Sequence, residues 1–307
     1  MTDRGSAPDP REVDGRAVRR SFGRAARTYD AAAVLQREVA QRLVSRLDVV
    51  RLAPQRILDA GCGTGEATAE LAARYPAAGL VGVDVALPMV EAARTRFRGT
   101  RSLYRRLLAP IQRDGGTNAR FLCADVTALP LAGVSFDLAF SNLMLQWVND
   151  LPRAFAELRR VLRVGGLLTF STFGPDTLKE LATAFAGADG HTHVGRFTDL
   201  HDIGDMLVHA GFADPVMDME MITVTYATPR ELMRELKAIG ATNATRGRPR
   251  GLMGRKHFER VEKRLLRAAR DGRIPATFEV IYGHAWKGEP RTTPEGHPIV
   301  RLRNRPR

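Results

Sequence analysis

The stretch "ILDAGCGTGEAT", residues 57–68, sets Gly61, Gly63 and Gly65 at alternate positions behind a short apolar run that ends in Asp59. A strand running into alternating glycines and then a helix brings bare backbone against a ligand at the carboxyl end of the strand, where open α/β sheets bind nucleotides. The spacing is G-x-G-x-G. It differs from the G-x-G-x-x-G of dinucleotide binding and from the phosphate-cradling G-x-x-x-x-G-K-[ST], and no lysine follows the last glycine. An adenosyl ligand without phosphates fits it better.

Outward from this loop, short apolar runs alternate with amphipathic helical patterns. "QRILDAGCG", "GLVGVDVA", "ARFLCADV", "FDLAFSN" and "LLTFSTF" predict five strands, with helices over "EATAELAARY", "LPMVEAARTRF" and "DLPRAFAELRRVLRVGG". In the last of these Asp150 stands as N-cap, Leu151, Phe155, Leu158, Val161 and Leu162 mark one face, and the glycine pair predicts the stop. Such alternation implies a parallel sheet covered on both faces, a Rossmann-like doubly wound α/β domain. Residues 16–47 read as helical. Residues 99–118 are long for a helix-to-strand connection and predict a small surface helix. Residues 174–220 hold two short helical patterns, "DTLKELATAFA" and "DLHDIGDMLVHAG", and are expected to form a helical insertion capping the carboxyl edge of the sheet. "MITVTY", "PRELMRELKAIG", "RKHFERVEKRLLRAARDG" and "ATFEVIYGHAW" close the domain, which is expected to span 16–288 between disordered ends at 1–15 and 289–307.

Acids end the second and third strands. Asp84 is placed to accept both hydroxyls of a ribose, and Asp125 to accept from an adenine amine. Singly, either could be a helix cap; their order along the chain, after the glycine loop and before strand four, favours the ligand.

Composition narrows the functions open to the chain. Its 307 residues carry a net charge of +13, which eases contact with polyanions or an acidic partner, but no nucleic-acid-binding pattern accompanies the charge. Nucleic acid is not the expected partner. Two cysteines, Cys62 and Cys123, without CxxC spacing point to neither a disulfide framework nor a zinc site, which suits a reducing cytoplasm. No apolar run reaches the roughly 18 residues that span a bilayer, and the N-terminus lacks a signal core. The seven histidines show no metal spacing, His191 and His193 forming only a loop pair, so no metal is expected.

With these residues in place, the chain resembles the class I S-adenosylmethionine-dependent methyltransferases, whose first motif is acid-x-G-x-G-x-G, here Asp59 to Gly65. The resemblance implies a seven-stranded sheet with an antiparallel last strand, for which "ATFEVIYGHAW" is well placed. It also implies that Gly61, Gly63 and Gly65 line the methionine part of S-adenosylmethionine, that Asp84 holds the ribose, that Asp125 and Val126 face the adenine, and that Asn142 lies at the end of strand four.

A narrower likeness covers most of the chain. "FGRAARTYD", "LQR", "LDAGCGTG", "FDLAFSNLMLQW" and above all "LKAIGATNATRGR" resemble the malonyl-acyl carrier protein O-methyltransferases of biotin synthesis. "WVNDLPRA", "DTL", "AGF" and "PAT" are shared with a second group of the same layout, the mitochondrial complex I assembly factor that hydroxylates an arginine. The first likeness implies methyl transfer to the free carboxylate of a malonyl thioester on acyl carrier protein; the second implies an assembly factor or protein-arginine hydroxylase. Residues 99–118 depart from the compact pattern of the first group. Ionised at neutral pH, a malonyl carboxylate requires no general base, only orientation and exclusion of water. Tyr29 is the leading candidate to orient it, with Arg24, Arg27, Arg246, Arg248 and Gln146 as further candidates and Trp147 as a wall. Tyr29 and Trp147 could equally be core, and the two loop arginines, Arg246 and Arg248, could meet the carboxylate, the carrier's phosphate or only water.

Overall fold

A computed structural model describes residue 9 and residues 12–108, 118–187, 190–249, 251 and 254–289. The expected disordered ends at 1–15 and 289–307 fall largely outside the described residues. Helices are α1 (Gly15–Ala25), α2 (Tyr29–Ala32), α3 (Val34–Ser45), α4 (Glu66–Arg74), α5 (Leu87–Leu108), α6 (Leu151–Val161), α7 (Lys179–Phe185), α8 (Leu200–His209), α9 (Pro229–Ala238) and α10 (Arg255–Arg267). Strands are β1 (Arg56–Ala60), β2 (Gly79–Asp84), β3 (Ala119–Cys123), β4 (Phe136–Asn142), β5 (Leu162–Phe173), β6 (Ala213–Tyr226) and β7 (Ile274–Trp286).

The strands form one seven-stranded sheet in the order β3-β2-β1-β4-β5-β7-β6. β1 to β5 run parallel, and β7 inserts antiparallel between β5 and β6. The chain reverses its strand order after β3, crossing back over β1 to β4, so the carboxyl ends of β1 and β4 flank the crevice where ligands of such sheets bind. Buried apolar residues cover both faces, as buried parallel strands require. On one side Leu43, Leu71, Val90 and Phe97 pack on Ile57, Leu80 and Leu138; on the other Phe155, Leu158, Ile203 and Leu207 pack on Leu58, Ala139 and Leu168.

Three expectations are corrected by packing. The helix after Asp150 ends at Val161, not at the glycines, because Leu162 already pairs with Phe136 and begins β5. The separate helix expected within 99–118 is instead the continuation of α5 to Leu108, while residues 109–117 lie outside the described residues. The stretch 174–220 also divides: Leu178, Leu181 of α7 and the loop before α8 wall a cavity, α8 buries Ile203 and Leu207 against α6 on a face of the sheet, and the residues from Ala213 onward form strand β6.

Candidate active site

At the end of β1 the chain turns back under β2, with the N–H groups of Gly61 and Cys62 both donating to the Val83 carbonyl (2.7 and 3.0 Å). All three motif glycines have positive φ: +83° at Gly61, +51° at Gly63 and +82° at Gly65. Their surroundings differ. A Cβ at Gly61 would run into the Met144 side chain, one at Gly65 would lie 3.0 Å from the Ala93 Cβ of α5, and one at Gly63 would meet no atom within 4 Å. Gly63 therefore leaves room for something other than protein.

That room is a cavity of about 400 Å³ over the carboxyl ends of β1, β2 and β4. Gly61, Gly63, Asp84, Asp125, Val126 and Asn142 line it, as do Tyr29 and Trp147; Asp59 and Gly65 do not. Asp59 is fully buried and accepts from the Thr68 hydroxyl at 2.5 Å, tying the strand to α4 behind the loop. Burial raises its carboxyl to about 7, with the Thr68 bond pulling the other way and Asp84 adding a smaller push upward. Gly65 serves the packing of α5. These two motif residues shape the loop without facing the cavity.

Asp84 accepts from Ala86 N–H on Oδ1 (2.8 Å) and from Gly63 N–H on Oδ2 (3.1 Å), so the carboxylate that faces the cavity also holds the glycine loop. Each oxygen keeps a lone pair for a ligand hydroxyl. Burial pushes its carboxyl up to about 6 against these two donors. Asp125 uses Oδ1 to cap the following turn through Thr127 N–H and Oγ1 (2.9 and 2.8 Å), leaving Oδ2 for a ligand. Both acids thus hold the backbone that follows them and also line the cavity. Asn142 is spoken for: its Nδ2 donates to the Gln36 carbonyl (3.0 Å) and its Oδ1 accepts from Ser171 (2.7 Å), which fixes the tip of β4. The next residue, Leu143, takes a left-handed backbone (φ 47°) at the cavity wall.

The N-terminal helices close the cavity from above. Gly15, Val18, Arg19 and Phe22 of α1 line it, and the Phe22 ring meets Trp147 edge-on at 5.2 Å. Tyr29 is held from beside: its neighbour Asp30 accepts from Thr64 Oγ1 (2.5 Å) on the glycine loop and from Arg96 (2.6 Å) on α5. Burial first, then the carboxylates Asp84, Glu66 and Asp30, pushes the Tyr29 phenol well upward, so it stays a neutral hydroxyl. Asp30 ends the stretch "FGRAARTYD" but is not singled out in it, and Arg96 lies in no motif.

A second chamber of about 330 Å³ shares Val13 and Trp147 with the first. Its walls are chiefly apolar, from Phe173, Leu178, Leu181, Met233, Leu236 and Phe278, with Gln36 and Gln146 among them. Gln146 lines this chamber and not the first; its Nε2 donates to Leu143 O (2.7 Å) and its Oε1 accepts from Thr172 (3.3 Å). Arg246 and Arg248 line neither chamber. They pair instead with the segment that precedes α1, Arg246 Nε with Glu12 (3.1 Å) and Arg248 with Asp14 (2.9 Å). Val13 between those acids bridges antiparallel to Thr245 and exchanges two hydrogen bonds with Asn149 (2.8 and 2.9 Å). The two arginines, expected at the substrate, are engaged as a latch on the N-terminal strap.

Among the described residues no cluster of His, Cys, Asp and Glu could hold a metal, and no helix is long and apolar enough to cross a membrane.

The sequence profile of the methyltransferase domain family matches residues 58–170, from β1 through most of β5. Two curated relatives match nearly end to end. The malonyl-[acyl-carrier protein] O-methyltransferase of Gallionella capsiferriformans is 50% identical over 289 residues, covering 94% of this chain and 96% of its own. That of Laribacter hongkongensis is 54% identical over 275 residues, covering 90% of each. Among solved structures the YcgJ protein of Bacillus subtilis superposes with a TM-score of 0.56 at 19% identity, covering 81% of this chain and 99% of its own, which speaks for the fold alone.

Proposed function

The chain belongs to the malonyl-[acyl-carrier protein] O-methyltransferase family, and we propose that it moves a methyl group from S-adenosylmethionine to the free carboxylate of a malonyl thioester carried by acyl carrier protein. The observation that carries the acceptor is half-identity along nearly the whole chain to relatives of that name. The relatives named above are methyltransferases, so the arginine-hydroxylating assembly-factor reading gains no support.

The first cavity suits the cofactor. Gly63 opens bare backbone to it, Asp84 offers two acceptor oxygens beside that backbone, and Asp125 with Val126 walls the far end. In our reading Asp84 takes the ribose hydroxyls, Asp125 and Val126 meet the adenine, and Gly61 and Gly63 border the methionine part. When bound, S-adenosylmethionine supplies a methyl carbon made electrophilic by its positively charged sulfur.

The chain's own task is then mechanical and dielectric. A malonyl carboxylate is ionised at neutral pH, its reference pKa being about 4, so no side chain has to remove a proton. Tyr29, kept neutral beside Asp84, is a donor and not a base. Phe22, Trp147 and Val18 give the first cavity an apolar wall on the side of the second chamber, where alignment of the two reactants is worth several kcal/mol. The product is a methyl ester with one negative charge fewer than the substrate.

Mass spectrometry of malonyl carrier protein, and separately of malonyl-CoA, after incubation with the protein and S-adenosylmethionine tests this directly. One added methyl, removable as an ester by mild alkali, is expected; no added methyl on either thioester would reject the assignment.

A further inference from the structure

The second chamber poses a problem that its walls do not solve. An ionised carboxylate taken out of water into a chamber lined by Phe173, Leu181, Met233 and Phe278 loses hydration and needs a cation or several donors in return. Neither loop arginine is free to help, since both latch the strap. Three other basic residues border the chamber: His193, Arg196 and Lys237. The His193 ring is stacked on Phe185 at 4.0 Å with planes 14° apart. Lys237, in the last turn of α9, borders this chamber alone.

Arg196 stands differently. It lies on the loop between α7 and α8, and it borders both this chamber and a third cavity of about 560 Å³; Val13 and Gln146 border the same two. Val13 also walls the first cavity, which Arg196 itself does not line; Arg196 is exposed and sits where the second chamber meets the third cavity. Its backbone is anchored there by the next residue, Phe197, whose ring meets Phe173 edge-on at 5.9 Å at the end of β5. Its guanidinium forms no hydrogen bond or ion pair with the described residues. A planar guanidinium can grip both oxygens of a carboxylate at once, which a lysine ammonium cannot.

Resting on the malonyl thioester reading, we infer that Arg196 is the residue that recognises the acceptor's free carboxylate and so separates a malonyl thioester from a neutral acyl thioester. The assignment has a consequence for turnover. Methylation would form the O–CH3 bond of the ester as the S–CH3 bond of the donor breaks, the electron pair of that bond staying on the sulfur; the charge that the guanidinium grips is cancelled, so the product loses its anchor in the step that makes it.

The test compares malonyl-CoA with its own methyl ester, which carry identical phosphates and differ only in that charge. Titrations into the full-length protein saturated with S-adenosylhomocysteine should show the wild type binding the free acid at least tenfold more tightly than the ester. In Arg196→Gln that ratio should fall to about one while affinity for S-adenosylhomocysteine and Tm hold; Arg196→Lys should keep part of it, and Lys237→Gln all of it. A ratio preserved in Arg196→Gln would overturn the inference. So would an equal loss for both ligands, which would mean that Arg196 grips a phosphate. A wild type that methylates malonyl-CoA yet shows no preference for the acid would overturn it too. Absence of methyl transfer in the mass spectrometry experiment would instead remove the function on which the inference stands.

Discussion

The two chambers meet at Trp147 and Val13 and are built in opposite ways. Much of the first comes from consecutive strand tips: the loop after β1, Asp84 at the end of β2, Asp125 after β3, Asn142 at the end of β4. The second is assembled from α3, the turn after β4, the end of β5, the loop before α8, α9 and β7. A ligand held by strand tips makes the same demands wherever the fold recurs, whereas a chamber gathered from distant segments can change its occupant without touching the motif. This is a physical reason for one fold to serve many acceptors.

The sharpest way to test that division is to damage one chamber only. Gly63→Val puts a branched side chain into the first cavity at a left-handed φ, and we expect at least a tenfold loss of S-adenosylhomocysteine affinity by calorimetry. Acceptor binding to the residual complex should change little. A folded variant with unchanged cofactor affinity would break the assignment of the first chamber.

Next in size is a pH effect confined to the same chamber. Asp84 must be ionised to accept hydroxyls with full strength, and burial places its carboxyl at about 6. As pH falls through that value the acid protonates, so cofactor affinity should weaken below about pH 6, approaching roughly tenfold per unit. Above it the affinity should level off. Binding isotherms between pH 5 and 8 measure this, and Asp84→Asn should bind weakly at every pH without the slope. With cofactor and acceptor saturating, kcat should stay flat from about pH 6.5 to 8, because no protein group loses a proton in the step.

The smallest effect belongs to the latch. Arg248 is 18% exposed and grips Asp14, which is 27% exposed. Such a partly buried pair is worth about 1 kcal/mol, so Arg248→Ala should weaken cofactor binding a few-fold through a looser α1, with a matching increase in the cofactor off-rate by stopped flow. If instead Arg248→Ala left the cofactor untouched and raised KM only for the thioester, the arginine would belong to the acceptor side after all.

What could be read in advance follows the same division. The parallel sheet and the acids that line the first cavity were legible because strand tips and glycine turns are set by neighbours in the chain. Asp59 and Gly65 belong to the motif for reasons of packing, which spacing alone does not separate from contact with a ligand. Arg246 and Arg248 looked available because their surroundings are basic and glycine-rich, yet Asp14 lies 234 residues from its partner and no local pattern announces the pair. Asp30, joined to Arg96 across 66 residues, escaped for the same reason. Arg196 sits in a loop without a motif and gains meaning only where the second chamber meets the third cavity.

Val13 is a wall of all three cavities; its backbone exchanges hydrogen bonds with the Asn149 side chain, and its bridge to Thr245 is flanked by bonds from Asp14 N–H to the Ala244 carbonyl and from Arg246 N–H to the Glu12 carbonyl. A ligand that packs on that residue would narrow the motion of the strap it belongs to, and a second ligand would then meet a segment whose ordering cost has already been met. Linkage of that kind is symmetric: the factor by which the cofactor would tighten the thioester is the factor by which the thioester would tighten the cofactor.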